Sequence, residues 1–243
     1  MNRIDQLLKK NNIAIITCYD ASFATVMTNT EVDALLVGDS LGLMIKGEKN
    51  TRQVTIDEMI YHTRSVRQGA SSIPIIADMP INSFKNKQMA LKNALRLSQA
   101  GANFVKIEGG NDVCEIIEYL TQNNILVCGH IGYTPQKMSE NKQIYNPDSI
   151  LNQSKKLERA GIKMIVLSMM TEAIDQIITK NLNIPTIAFR SSTKCKGQVE
   201  ILYDLIGIST NPENLLDGNI EKNYTKLNFS SILNFIQNVH NKI

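Results

Sequence analysis

Short runs of mostly apolar residues recur along the chain, each closing on a polar or small residue. They span Ile13 to Asp20 (IAIITCYD), Ala34 to Ser40 (ALLVGDS), Ile73 to Pro80, Phe104 to Gly110, Ile125 to Gly132, Met164 to Met170, Ile184 to Ser192 and Leu205 to Ser209. Continuous apolar runs of this length fit strands covered on both faces, as in parallel sheets. Between them lie amphipathic segments such as TIDEMIYHTRSVRQGA, KQMALKNALRLSQAGA and SILNQSKKLERAGI, and these three close on a glycine where a helix C-cap is expected. Strand and helix alternating eight times predict an α/β protein, a (β/α)8 barrel. The phrases SQAGANFVKIEGG and ERAGIKMIVLSMM repeat one unit of helix, Ala-Gly, strand and polar or sulfur-bearing end. No linker rich in Gly, Ser or Pro divides the chain, so residues 1–243 read as a single barrel domain. SSILNFIQNVHNKI predicts a last amphipathic helix that packs on the barrel or on a neighbouring subunit.

Composition narrows the function classes. The 243 residues are 43% hydrophobic and 20% charged, with a formal charge of +3. Lys and Arg are interleaved with acids, which is a solvated surface and not a nucleic-acid footprint. No apolar stretch approaches the length of a membrane span, and Met1 to Lys10 lacks the apolar centre of a signal peptide, so a cytoplasmic protein is expected. Cys18, Cys114, Cys128 and Cys195 lie far apart, without the spacing of a zinc site or a CxxC motif. They read as thiols in a reducing compartment.

In parallel barrels the carboxyl ends of the strands share one rim, and chemistry sits there. The residues placed on that rim are Tyr19 and Asp20, Asp39 and Ser40, Asp78, Lys106 and Glu108, His130, Ser168, and Arg190 with Ser191. Asp39, Asp78 and Glu108 come from three successive strands. Acids brought together repel unless protons or a cation compensate, and hard oxygen ligands without a His/Cys cluster favour Mg2+. Lys106 and Glu108 are two residues apart and therefore share a strand face, which in a barrel can be the interior. A metal for the acid and an anionic substrate for the lysine would offset the cost of burying both; an internal ion pair that merely fills the barrel is the alternative. His130 at a strand end is either a structural or a catalytic residue, and GYTPQ, Gly132 to Gln136, reads as a plain turn leading into a helix. Asp39 alone reads equally well as a helix cap.

The ordered motifs TCYDASFA, LLVGDSLG, YHT, ADMP, AGANFVKIEGG and CGHIGYTPQ resemble the ketopantoate hydroxymethyltransferase family, densely from Thr17 to Gln136. That resemblance implies a (β/α)8 barrel of the phosphoenolpyruvate/pyruvate type, a TIM barrel. It further implies transfer of a hydroxymethyl group from 5,10-methylenetetrahydrofolate to the 2-keto acid 3-methyl-2-oxobutanoate, giving 2-dehydropantoate in pantothenate biosynthesis. Mg2+ would be required, Asp39, Asp78 and Glu108 would be the metal-site acids, and Asp39, Ser40, Asp78 and Lys106 would hold the keto acid. A homo-oligomer, a decamer in the family, is implied as well.

The second half departs from the family pattern. Ser168 stands where the resemblance implies a glutamate acting as general base, and a serine hydroxyl is a poor base unless activated. Glu172, four residues on, is the nearest acid in sequence, although its ordinary role is to complement a helix N-terminus. KMSENKQIYNPDS is shorter than the corresponding family loop and lacks its glycines, and AFRSS replaces a Gly-rich pattern after the seventh strand. Two readings follow. One is a divergent transferase with weakened or rerouted base catalysis through Glu172, a water or His130. The other is a homologue that binds the keto acid or an oligomer partner without turnover.

Overall fold

The structure is a computed structural model that describes residues 2–136, 145–208 and 230–241. Strands β1 (Ile13–Thr17), β2 (Ala34–Val37), β3 (Ile75–Asp78), β4 (Phe104–Glu108), β5 (Val127–Gly132), β6 (Met164–Ser168), β7 (Thr186–Phe189) and β8 (Gly197–Glu200) close in sequence order into a parallel barrel. β8 pairs back onto β1, with Ile13 opposite Gly197. The helices are α1 (Arg3–Lys9), α2 (Ala21–Met27), α3 (Leu41–Met44), α4 (Ile56–Gly69), α5 (Lys87–Ala100), α6 (Cys114–Gln122), α7 (Pro147–Arg159), α8 (Glu172–Asn181), α9 (Leu202–Leu205) and α10 (Ser230–His240).

The strands carry apolar residues on both faces because each face meets a different core. Ile13, Ile15, Leu36, Ile76, Phe104, Cys128, Met164, Val166, Ile187 and Val199 form one cluster with Leu7 of α1, and this fills the barrel interior from its amino end. The alternate residues, among them Leu35, Ile75, Val105, Ile107, Ile165 and Leu167, belong to the larger cluster under the outer helices. Period-two alternation thus separates two cores within one run of apolar sequence.

Helix boundaries follow local chemistry. Thr55 and Glu58 form a reciprocal capping box on α4, Asn86 caps α5, and Asn146 with Pro147 opens α7. Gly101 takes the left-handed C-cap of α5 at φ 116°. Gly69 differs from the expected C-cap, being the last helical residue of α4. It is glycine because a Cβ there would lie 2.1 Å from the Ala21 carbonyl oxygen, where α2 crosses α4. The terminal helix α10 packs on the barrel through Ile232, Ile236 and Val239, and His240 Nε2 lies 3.0 Å from Asp33 Oδ2 beside Lys10.

The eighth strand corrects the sequence reading. LIGIS was expected to supply it, yet β8 is GQVE, and the chain turns helical at Leu202. The barrel seam decides this: a Cβ on Gly197 would come within 2.7 Å of the Ile13 carbonyl oxygen, so a glycine lets β8 approach β1. Leu205 and Ile206 are instead buried in the outer core, and Ser209 lies outside the described residues.

Candidate functional site

The interior face changes character along each strand. Two residues beyond apolar Ile76 comes Asp78; beyond Phe104 come Lys106 and then Glu108; beyond Cys128 comes His130; beyond Val166 comes Ser168. All five polar residues are buried. The same alternation that fills the amino end with hydrocarbon therefore turns the carboxyl end into a cup of ionisable groups.

Strand register then chooses partners. Asp78 is opposite Lys106 on β3 and β4, and the Lys106 Nζ lies 2.8 Å from Asp78 Oδ1. Glu108 is opposite His130 on β4 and β5, and His130 Nδ1 lies 3.0 Å from Glu108 Oε1. Lys106 Nζ is also 3.9 Å from Glu108 Oε1 and 3.4 Å from His130 Nδ1. Asp39 enters from the loop after β2, its backbone N–H donating to Asp78 Oδ2 at 3.1 Å. Gln136, after β5, closes the ring: its Nε2 donates to Asp39 Oδ2 at 2.8 Å and its backbone N–H to Glu108 Oε2 at 3.2 Å. On the other side Tyr19 and Ser40 join hydroxyls at 2.8 Å.

The electrostatics follow from this packing. Burial raises the Asp39 carboxyl well above the usual range, and the charges of Asp78 and Glu108 push it further, against Lys106 and the Gln136 hydrogen bond. Burial acts to lower the Lys106 ammonium, but the carboxylates of Asp78, Glu108 and Asp39 outweigh it and hold the group above its ordinary value. Burial would likewise raise Glu108, yet His130, Lys106 and the Gln136 N–H keep its carboxyl below the ordinary range. Tyr19 is driven up mainly by burial and remains a neutral hydroxyl. Lys106 and Glu108 thus persist as charges, whereas Asp39 carries the strain of a site rich in acids.

The structure brings Asp39, Ser40, Asp78, Lys106, Glu108 and His130 together. Among the described residues, no three His, Cys, Asp or Glu side chains make a ready-formed metal cage, because Lys106 stands between Asp78 and Glu108. Ser168 is fully buried at the end of β6, its Oγ without a hydrogen-bond partner among the described residues. Other rim residues serve the scaffold. Asp20 caps α2 through Phe23 N–H, and Arg190 pairs with buried Asp204 at 2.7 Å. Glu172 is exposed at the start of α8, 3.7 Å from Lys194, as expected of a helix N-terminal acid. His62 also acts in the scaffold, its Nδ1 2.6 Å from the Tyr19 carbonyl oxygen.

Sequence reasoning missed Gln136, which it took for part of a plain turn. A polar amide four residues past the strand that carries His130 was the available signal. Most of the KMSENKQIYNPDS loop, residues 137–144, lies outside the described residues, and α7 begins at Pro147.

The fold and this acid-lysine cup define a (β/α)8 barrel whose polar site opens at the carboxyl ends of the strands. Solved structures sharing the fold include phosphoenolpyruvate phosphomutase from Streptomyces platensis subsp. rosaceus, with TM-score 0.69 and 14% identity over 84% of this chain and 81% of that one. A 2,3-dimethylmalate lyase of the PEP mutase/isocitrate lyase superfamily gives 0.62 and 16%, over 77% and 69%. The family model for ketopantoate hydroxymethyltransferase matches residues 1–242. The 3-methyl-2-oxobutanoate hydroxymethyltransferase of Nitrosomonas eutropha is 45% identical, over 83% of this chain and 78% of its own. That of Wigglesworthia glossinidia brevipalpis is 41% identical, over 97% and 92%. The chain belongs to the ketopantoate hydroxymethyltransferase family.

Proposed function

We propose that the chain transfers a hydroxymethyl group from 5,10-methylenetetrahydrofolate to 3-methyl-2-oxobutanoate, giving 2-dehydropantoate for pantothenate biosynthesis. The observation that carries this reading is the buried Lys106 ammonium held by Asp78 and Glu108 beside Asp39, an arrangement that suits a small anionic keto acid bound with a cation.

Mg2+ fits the donor set. Oxygen ligands dominate: the carboxyls of Asp39, Asp78 and Glu108 are buried together, Asp39 being raised first by that burial and then by the charges of the other two, and a divalent cation would offset both. Asp39, Asp78 and Glu108 would hold the ion, some through water. When bound, Mg2+ would supply a Lewis acid for the keto and carboxylate oxygens, favouring loss of the C3 proton. Lys106 adds fixed positive charge beside the acids, where it can offset the negative charge that develops on the keto acid. Ser40, oriented by Tyr19, offers a hydroxyl to the substrate carboxylate. The C3 carbon would then bond to the methylene carbon of the folate while both C–N bonds of that carbon break, water supplying the product hydroxyl and tetrahydrofolate leaving with the proton lost from C3 and one from the water.

Ser168 bears on the rate of proton removal. Among the described residues its buried hydroxyl has no hydrogen-bond partner to activate it, so base strength at this point is low. We therefore assign the chain a slowed enolisation step, with Ser168 at the position of the family base. Homo-oligomerisation, a decamer by family resemblance, and a cytoplasmic setting complete the proposal. The buried cysteines Cys18 and Cys128 support a reducing compartment, and among the described residues no helix is long and apolar enough to cross a membrane. Light scattering at micromolar concentration tests the assembly, since a mass near that of the 27.2 kDa chain would overturn it.

The deciding experiment is exchange of the C3 proton of 3-methyl-2-oxobutanoate in D2O, followed by NMR, with protein and Mg2+, with and without the folate. Exchange that needs both protein and metal supports the transferase. Binding of the keto acid with no exchange would make the chain a keto-acid binder without turnover.

A further inference from the structure

Gln136 is buried and reaches three neighbouring strand ends at once. Its Nε2 donates to Asp39 Oδ2 at 2.8 Å and to the Met79 carbonyl oxygen at 3.1 Å, while its backbone N–H donates to Glu108 Oε2 at 3.2 Å. The amide orientation follows from those partners. Turned the other way, the side-chain oxygen would face a carboxylate oxygen and a carbonyl oxygen, three acceptors with no proton between them. In the orientation present, Gln136 Oε1 is buried and has no hydrogen-bond partner among the described residues. A buried acceptor left open in this way is costly unless a donor arrives from outside the chain.

We propose that Gln136 is a positioning residue of the site: it occupies one oxygen of Asp39, leaving the other for the ligand, ties Glu108 to the same loop, and presents Oε1 as acceptor to a water carried in by a hydrated divalent cation, the cation that the keto acid binds with. This rests on the keto-acid reading above. The loop after β5 is thereby coupled to the acids of β2 and β4, across 97 residues of sequence between Asp39 and Gln136. Packing alone does not account for the arrangement, since an apolar side chain of equal length would fill the space without an open acceptor. Met79 O could also be capped by any donor, but only an amide donates to Asp39 and Met79 together while keeping an acceptor.

The test compares Gln136→Met, which keeps the length, with Gln136→Asn, which keeps the amide but shortens its reach. Two equilibrium readouts are used on the full chain: Mn2+ binding followed by electron paramagnetic resonance without substrate, and keto-acid binding by calorimetry with Mg2+. Thermal unfolding is recorded alongside. Both variants are expected to bind the keto acid and Mn2+ about tenfold to a hundredfold more weakly, the size of losing a hydrogen bond to a charged group. Their unfolding should remain a single cooperative transition. A packing role predicts instead that Gln136→Met binds within twofold of the parent while Gln136→Asn does not, and that result would overturn the proposal. So would losses that only follow the fraction of unfolded protein. A parent that binds Mn2+ but not the keto acid sinks the functional reading and leaves the Mn2+ comparison to decide on Gln136. A parent that binds neither overturns both.

Discussion

Lys106 Nζ lies 2.8 Å from Asp78 Oδ1, and the two residues are register partners on adjacent strands with both side chains closed off from solvent. Removing one member of a buried pair leaves the other uncompensated, at a cost of about 3–5 kcal/mol. Lys106→Met is therefore expected to lose that much stability in urea denaturation and to lose keto-acid binding. Adding Asp78→Asn should return most of the stability and none of the binding. Binding that returns with stability would make the pair a structural filling of the barrel.

Ser168 tests how much of the chemistry the back of the site retains. Its hydroxyl is buried and unpartnered, so Ser168→Ala should be as stable as the parent or about 1 kcal/mol more stable. Ser168→Glu restores a carboxylate at the end of β6, and a positioned base is worth about 10²- to 10⁴-fold. The C3 exchange rate at saturating keto acid should rise by at least the lower figure. An unchanged rate would mean that another group already removes the proton.

Gly132 sits where β5 meets β6, at φ 95°, and a Cβ on it would lie 2.3 Å from the Ser168 carbonyl oxygen. Backbone cannot move aside there, because that oxygen accepts from Tyr133 N–H. Gly132→Ala should cost about 2 kcal/mol or more. The loop that carries Gln136 starts at this turn, so keto-acid affinity should fall in the same variant. Full stability in Gly132→Ala would contradict the close approach.

Glu200, at the end of β8, is the clearest source of pH dependence. Burial pushes its carboxyl up to about 7, opposed by Arg190 and assisted by Asp204. The folded state then holds a proton that the unfolded state releases near the ordinary glutamate value of about 4.3, so stability falls as pH rises between the two. The full contribution is present below the unfolded value and is lost by pH 8, about 3–4 kcal/mol. Glu200→Gln should remove that slope and be more stable than the parent at pH 8 but not at pH 4. Unfolding curves at the two pH values decide it.

Much of the barrel was legible because buried parallel strands leave a plain mark. The first seven apolar runs fall on β1 to β7, with ends shifted by a few residues. The eighth was misplaced since GQVE carries two polar residues of four, and its place depends on a backbone approach between Gly197 and Ile13 that spacing cannot reveal. A strand that is half polar lacks the hydrophobic mark because pairing at the seam, and not its own side chains, puts it there.

The candidate site divides in the same way. Sequence by itself determined that Lys106 and Glu108 share one strand face, because side chains repeat every two residues along a strand, and that Asp78, His130 and Ser168 stand at strand ends on the same rim. It also determined the family, through motifs in a fixed order. Only the tertiary structure decided who meets whom. Register sets Asp78 against Lys106 and Glu108 against His130, and loop paths bring Gln136 to Asp39 and carry Arg190 away to Asp204. Alternation is a local property of one strand, whereas register and loop path depend on how distant segments pack, and that is why the partners could not be read from the chain.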